Sequence, residues 1–164
     1  MNMRLHILLF AVLLLSGCST LTHFSHDNAT GYRQFTREEC VPYARRVSGI
    51  NIRGDAYTWW QQADGVYKRG YTPKPGAVLV LAKTNRLQHG HLAVVTKQVA
   101  PDQMDVTHTN WGSGWLSRRV TYESLRVKDA SPANDWTSVR FWNDDNNAFG
   151  YPYPALGFIY NERE

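Results

Sequence analysis

The chain of 164 residues is poor in cysteine, with two, and in methionine, with three. Two cysteines are too few for a disulfide framework. They form no C-x-x-C pair, and there is no H-E-x-x-H helix motif, so neither a metal nor any other cofactor is expected. No apolar run approaches the ~20 residues needed to cross a bilayer; the longest, Ile7 to Leu15, has nine. There is no internal repeat, which argues against a solenoid or propeller. What is present is an ordinary globular mixture, 43% hydrophobic and 20% charged, which excludes coiled-coil, collagen-like and wholly disordered chains. The length suits one domain with a real core. The formal charge of +4 favours an anionic partner: acidic polymer, anionic lipid or nucleic acid.

The N-terminus bears on compartment. Arg4 supplies a positive first segment, and the nine-residue run after it fits a signal peptide. Leu15-Ser16-Gly17-Cys18 resembles the bacterial lipobox, where a lipoprotein is cut before its cysteine and acylated on it. Residues 1–17 are therefore expected to be a lipoprotein signal peptide, and Cys18 the lipidation site. Ser19 in place of aspartate points to the outer membrane if the host is Gram-negative. The expected location is the cell envelope, with the chain lipid-anchored in the periplasm. Export also removes the chain from nucleic acid, which is not an expected partner. With Cys18 consumed by lipid, Cys40 remains the only thiol in an oxidising compartment, where an unpaired thiol is a liability unless buried or used.

Residues 18–34 are polar, with turn formers and no apolar period, and read as a lipid-anchored tether; its 16 residues after Cys18 reach at most roughly 55 Å. The globular pattern begins at Phe35, so residues 35–164 are expected to form one domain. Thr36 to Glu39 looks like a capping box, followed by Val41, Ala44 and Val47 at helical spacing; Pro42 restricts the helix start to about Cys40. Ala56, Trp59, Trp60 and Ala63 predict a second helix. The period then changes. Ala77–Ala82, Leu92–Val99 and Met104–Thr109 read as strands, with weaker candidates at Val139–Trp142 and Leu156–Tyr160. Helices followed by antiparallel strands predict an α+β fold.

The residues that carry chemistry are Cys40, His91 and Asn110. A thiol at a helix N-terminus faces unpaired N–H groups and the positive dipole end, which can lower its pKa from about 8.5 into the ~3.5–7.5 range. A nucleophilic cysteine needs a base, and the base an orienting group. His91 opens a strand, after Gly90, which permits close backbone approach. His108 and Asn110 share a face of the next strand by the two-residue period, and either can hold the second nitrogen of His91. Trp111 and Trp115, in a glycine-rich segment after that strand, are candidates for stacking on substrate.

Five stretches together resemble the cysteine, histidine-dependent amidohydrolase/peptidase (CHAP) domain of the NlpC-like, papain-like group: ECVPYAR at 39–45, GDAYTWW at 54–60, PKPGAVLV at 73–80, GHLAVV at 90–95 and HTNW at 108–111. They occur in the family's order, within residues 35–115. The resemblance implies a papain-like fold, with N-terminal helices packed on an antiparallel β-sheet, and hydrolysis of peptidoglycan with Cys40 as nucleophile and His91 as base. The bond would be either the amide between muramic acid and alanine or one within the stem or cross-bridge peptides. Two positions depart from the family: Ala77, where it often has aspartate, and His108, where it commonly has glutamate. The third catalytic residue is therefore Asn110 or His108, with Asn110 favoured. The expected partners are peptidoglycan and, through the N-terminal lipid, the membrane; a monomer is expected. The rival reading is a non-catalytic envelope lipoprotein that binds cell-wall glycan or a periplasmic partner.

Overall fold

The computed structural model describes residues 33–163. The signal peptide, Cys18 and most of the tether lie outside the described residues. The elements run β1 (Arg33–Phe35), α1 (Cys40–Ser48), a 3-10 turn (Ala56–Thr58) leading into α2 (Trp59–Gln62), β2 (Tyr67–Gly70), β3 (Val78–Leu81), β4 (His91–Ala100), β5 (Gln103–Thr109), β6 (Val120–Asp129), β7 (Ser138–Asn143) and β8 (Ala148–Arg163).

The strands overturn the expected α+β, papain-like arrangement. From β3 to β8 each strand pairs antiparallel with the next, and β8 returns to pair with β3, so six strands close into a barrel. The described chain is 46% strand and 17% helical, with two short helices rather than a helical layer on an open sheet. Two features hid this. Glu123, Arg126 and Lys128 interrupt β6, and its alternation slips at a register shift opposite Val106/His108. The terminal candidate Leu156–Tyr160 is the last part of a 16-residue strand, β8, whose first half pairs with β7 and second half with β3. The expected second helix is only a 3-10 turn and four α residues. Outside the barrel, β1 adds to β6 and β2 to β8, so β1 starts two residues before the expected boundary at Phe35.

Closure creates two cores. Leu79, Leu81, Ala93, Val95, Met104, Val106, Phe141 and Phe158 belong to one cluster that fills the barrel, as a ring of so few strands requires. Val78, Val80, Leu92 and Val94, the alternate residues of β3 and β4, face outward onto Ala44, Ile50, Ile52, Ala56 and Trp59. The two-residue period thus splits β3 and β4 between barrel and helices, and all four residues of β3 are buried.

Candidate active site

Cys40 is the first residue of α1. The turn into the helix is made by Glu39, in extended conformation (φ −72°, ψ 159°), which forms no side-chain cap. The expected capping box is absent; Thr36 Oγ1 instead accepts from the Glu38 N–H at 3.1 Å. The helix closes at Gly49 in the left-handed region (φ 74°), whose N–H donates to the Arg45 carbonyl, as a glycine there does without a Cβ penalty. Two contacts seat α1 on the barrel. Ala44 enters the outer core, and the Tyr43 and Thr107 hydroxyls share a 2.5 Å hydrogen bond that ties the helix to β5.

The thiol is half-buried, and its pKa is raised, not lowered as the helix position predicts. Burial is the main cause and the charge of Glu39 adds to it; the N–H groups of Leu92, Val41 and Cys40 itself pull the other way without prevailing. Of these groups, the Leu92 N–H belongs to the residue after His91, at the start of β4.

His91 opens β4. The chain reaches it through Gly90 (φ 70°), where a Cβ would lie 2.7 Å from the Leu81 carbonyl oxygen and from the Tyr57 nitrogen. Only glycine lets the segment close on the 54–60 turn, where the Tyr57 N–H donates to the His89 carbonyl at 3.2 Å. His91 shares the barrel-facing side of β4 with Ala93 and Val95, and it is 3% exposed. Its Nε2 is 2.8 Å from Nδ1 of His108, which is fully buried on the inner face of β5. Burial holds His91 down at about 3. Burial, then the neighbouring His91, keeps His108 well below its usual value. Both imidazoles are neutral near pH 7. Nε2 of His91 is engaged with His108, and Nδ1 is its other ring nitrogen. With the His91 proton on Nε2, that atom donates to His108 Nδ1, and the His108 proton sits on its own Nε2, which has no partner among the described residues. Rings surround the pair: Trp111 is 4.6 Å from His91 between centroids, and His108 stacks on Phe141 at 5.4 Å and touches Tyr122 at 5.2 Å.

The structure therefore separates the two candidates for third residue. His108 meets His91. Asn110 leaves β5 in the left-handed region (φ 54°), and its amide donates to the Glu39 carboxylate beside Cys40 instead. His89 is exposed and pairs with Asp55 at 3.2 Å. Trp111 lies between the histidines and a cleft of about 1110 Å³, and Trp115 stands on the rim of that cleft, 69% exposed. Sequence reading did not find Glu39, Tyr43 or Thr107 as parts of this arrangement, nor the wall supplied by Phe141 and Tyr153. The aromatic richness around residues 141–153 was the available signal. Among the described residues no group of three or more His, Cys, Asp or Glu is placed to hold a metal ion.

A model of the CHAP domain family matches residues 28–110, half of the chain. No curated protein matches it. The chain belongs to the CHAP domain family, whose members are generally hydrolytic amidase or peptidase domains, and membership implies peptidoglycan as the material acted on.

Proposed function

We propose that the chain is a peptidoglycan hydrolase that cuts an amide by acyl transfer through Cys40, and that it works in the cell envelope, lipid-anchored at Cys18. The observation that supports this reading is the buried His91–His108 pair, joined at 2.8 Å, at the start of the strand whose Leu92 N–H acts on the Cys40 thiol. A binding module has no use for a buried histidine whose second nitrogen is held by another.

The protonation states shape the mechanism. A raised thiol beside a depressed imidazole makes a neutral pair at rest, not a thiolate–imidazolium pair. His91 Nδ1 takes the thiol proton as the sulfur attacks the carbonyl, and His108 Nδ1 stabilises the resulting imidazolium by accepting from its Nε2–H. The unpaired N–H groups of the first turn of α1 face the developing oxyanion. His91 then passes its proton to the leaving amine. Water, deprotonated by His91, hydrolyses the thioester and restores the thiol. In this scheme His108 is the orienting residue and Asn110 is not.

Digestion of purified peptidoglycan tests the reading. The wild-type chain releases soluble fragments, and Cys40→Ala releases none. His91→Ala falls by ~10²–10⁴-fold, the span of acid–base catalysis. Hydrolysis undiminished in Cys40→Ala would overturn the assignment.

A further inference from the structure

The family match ends at residue 110, yet the cleft beside the histidine pair is built almost wholly from the chain beyond that point. One wall is the Trp111–Arg118 segment, and the other is the end of β7 and the start of β8, from Phe141 to Tyr153. Trp111 joins the cleft to the histidine pair, and Asn110, on the same rim, is bonded to the residue before the nucleophile. Two rings on the rim, Trp115 and Tyr151, are 69% and 66% exposed. Arg119 lies over the first and Arg86 over the second, which leaves one face of each ring open. Asp144, which also lines the cleft, is held by Arg33 and by the Trp142 indole N–H at 3.1 Å, so its carboxylate is fixed at the aromatic wall.

Resting on the hydrolase reading above, we propose that this cleft holds the glycan strand, and that the bond cut is the amide joining the muramic acid lactyl group to the first alanine of the stem peptide. Flat rings with one open face suit the C–H faces of pyranose sugars, and a fixed carboxylate suits their hydroxyls. The volume exceeds the ~300–1,000 Å³ usual for a small-molecule site, as a polymer segment requires. With sugar beside Trp111, the carbonyl nearest Cys40 and His91 is the lactyl carbonyl. The sulfur bonds to that carbon, the C–N bond breaks, and the alanine nitrogen leaves with the proton from His91. Water then converts the thioester to a lactyl carboxylate and free thiol.

Two measurements on the full chain test this. In the first, Cys40→Ala is titrated with peptide-free glycan chains. It binds, and adding Trp115→Ala or Tyr151→Ala weakens binding about tenfold each, the scale of one aromatic contact; both side chains are exposed, so their loss spares the fold. No binding overturns the cleft assignment. In the second, products of wild-type digestion are analysed by mass. Stem peptides with a free N-terminal alanine, and glycan stripped of peptide, support the proposal. Shortened stems still attached to muramic acid, or equal cutting of sugar-free cross-linked peptides, overturn it. Glycan binding with no hydrolysis at all sinks the hydrolase reading and the bond assignment, and leaves the glycan cleft standing.

Discussion

The two cores of this molecule are held by different means. The barrel interior is enclosed by a ring of backbone hydrogen bonds that runs through β3 to β8 and back, and it is filled with Phe141, Phe158, Trp136, Tyr122 and Met104. The outer core rests on one side against β3, β4 and Ile159 of β8, and on the other against short helical segments, the turns between them and Tyr67 of the short strand β2. The parts of the proposed site divide along that line. His91 and His108 stand on barrel strands, and Cys40 stands on a nine-residue helix. The two histidines thus sit on a framework that cannot move without breaking sheet hydrogen bonds, while the proposed nucleophile is positioned by packing and by the Tyr43–Thr107 bond. In the proposed mechanism, alignment of the sulfur with His91 depends on the outer layer.

The outer core is the place to break this comparison most severely. Trp59→Ala should cost ~3–5 kcal/mol, as aromatic-to-alanine changes in cores do, because Trp59 is fully buried between α2 and the barrel. Hydrogen exchange should show the amides of α1 losing protection before those of β4 and β5. Simultaneous loss in both would mean that the two cores unfold as one.

Acid should strike the barrel side. Both histidines are neutral in the folded chain and titrate near 6.5 when unfolded, so below that pH the unfolded chain binds protons that the folded chain does not. Their contribution is complete above ~6.5 and is lost as pH falls toward the folded value of about 3 for His91. At pH 4.5 the loss from His91 alone is about 3 kcal/mol. Denaturant melts from pH 7 to 4.5 check this, and His108→Phe should flatten the profile.

Activity sharpens the contrast between the two polar residues at the end of β5. His108→Ala should reduce hydrolysis about 10²-fold, within the span for positioning and acid–base effects, because it leaves the His91 imidazole without its 2.8 Å partner. Asn110→Ala should cost clearly less, since its amide meets Glu39 and not the base. The reverse ranking on the same peptidoglycan substrate would return the orienting role to Asn110.

The smallest expected effect is on the link between the layers. Tyr43→Phe removes the hydroxyl that meets Thr107 and should cost about 1 kcal/mol, the net worth of one hydrogen bond. A larger fall in kcat than in stability would show that this bond aligns the nucleophile as well as anchoring the helix.

Much of this was legible in the residues themselves. Pro42 and Gly49 bound α1, and the strands around Val80, Val94 and Val106 arise from short apolar runs and a hairpin turn, because local sterics and side-chain periodicity act over a few residues. Cys40, His91 and His108 were each visible as chemistry-bearing residues for the same reason. Three things were decided only in three dimensions. Closure of the barrel depends on β8 pairing with β3, a contact between segments far apart in sequence that no local period encodes. The choice of His108 over Asn110 as the partner of His91 depends on strand register and on the left-handed exit at Asn110, which turns its amide toward Glu39. The raised thiol and the neutral imidazoles arise from burial, and burial is a property of what the rest of the chain packs around a group, not of the group or its neighbours in sequence.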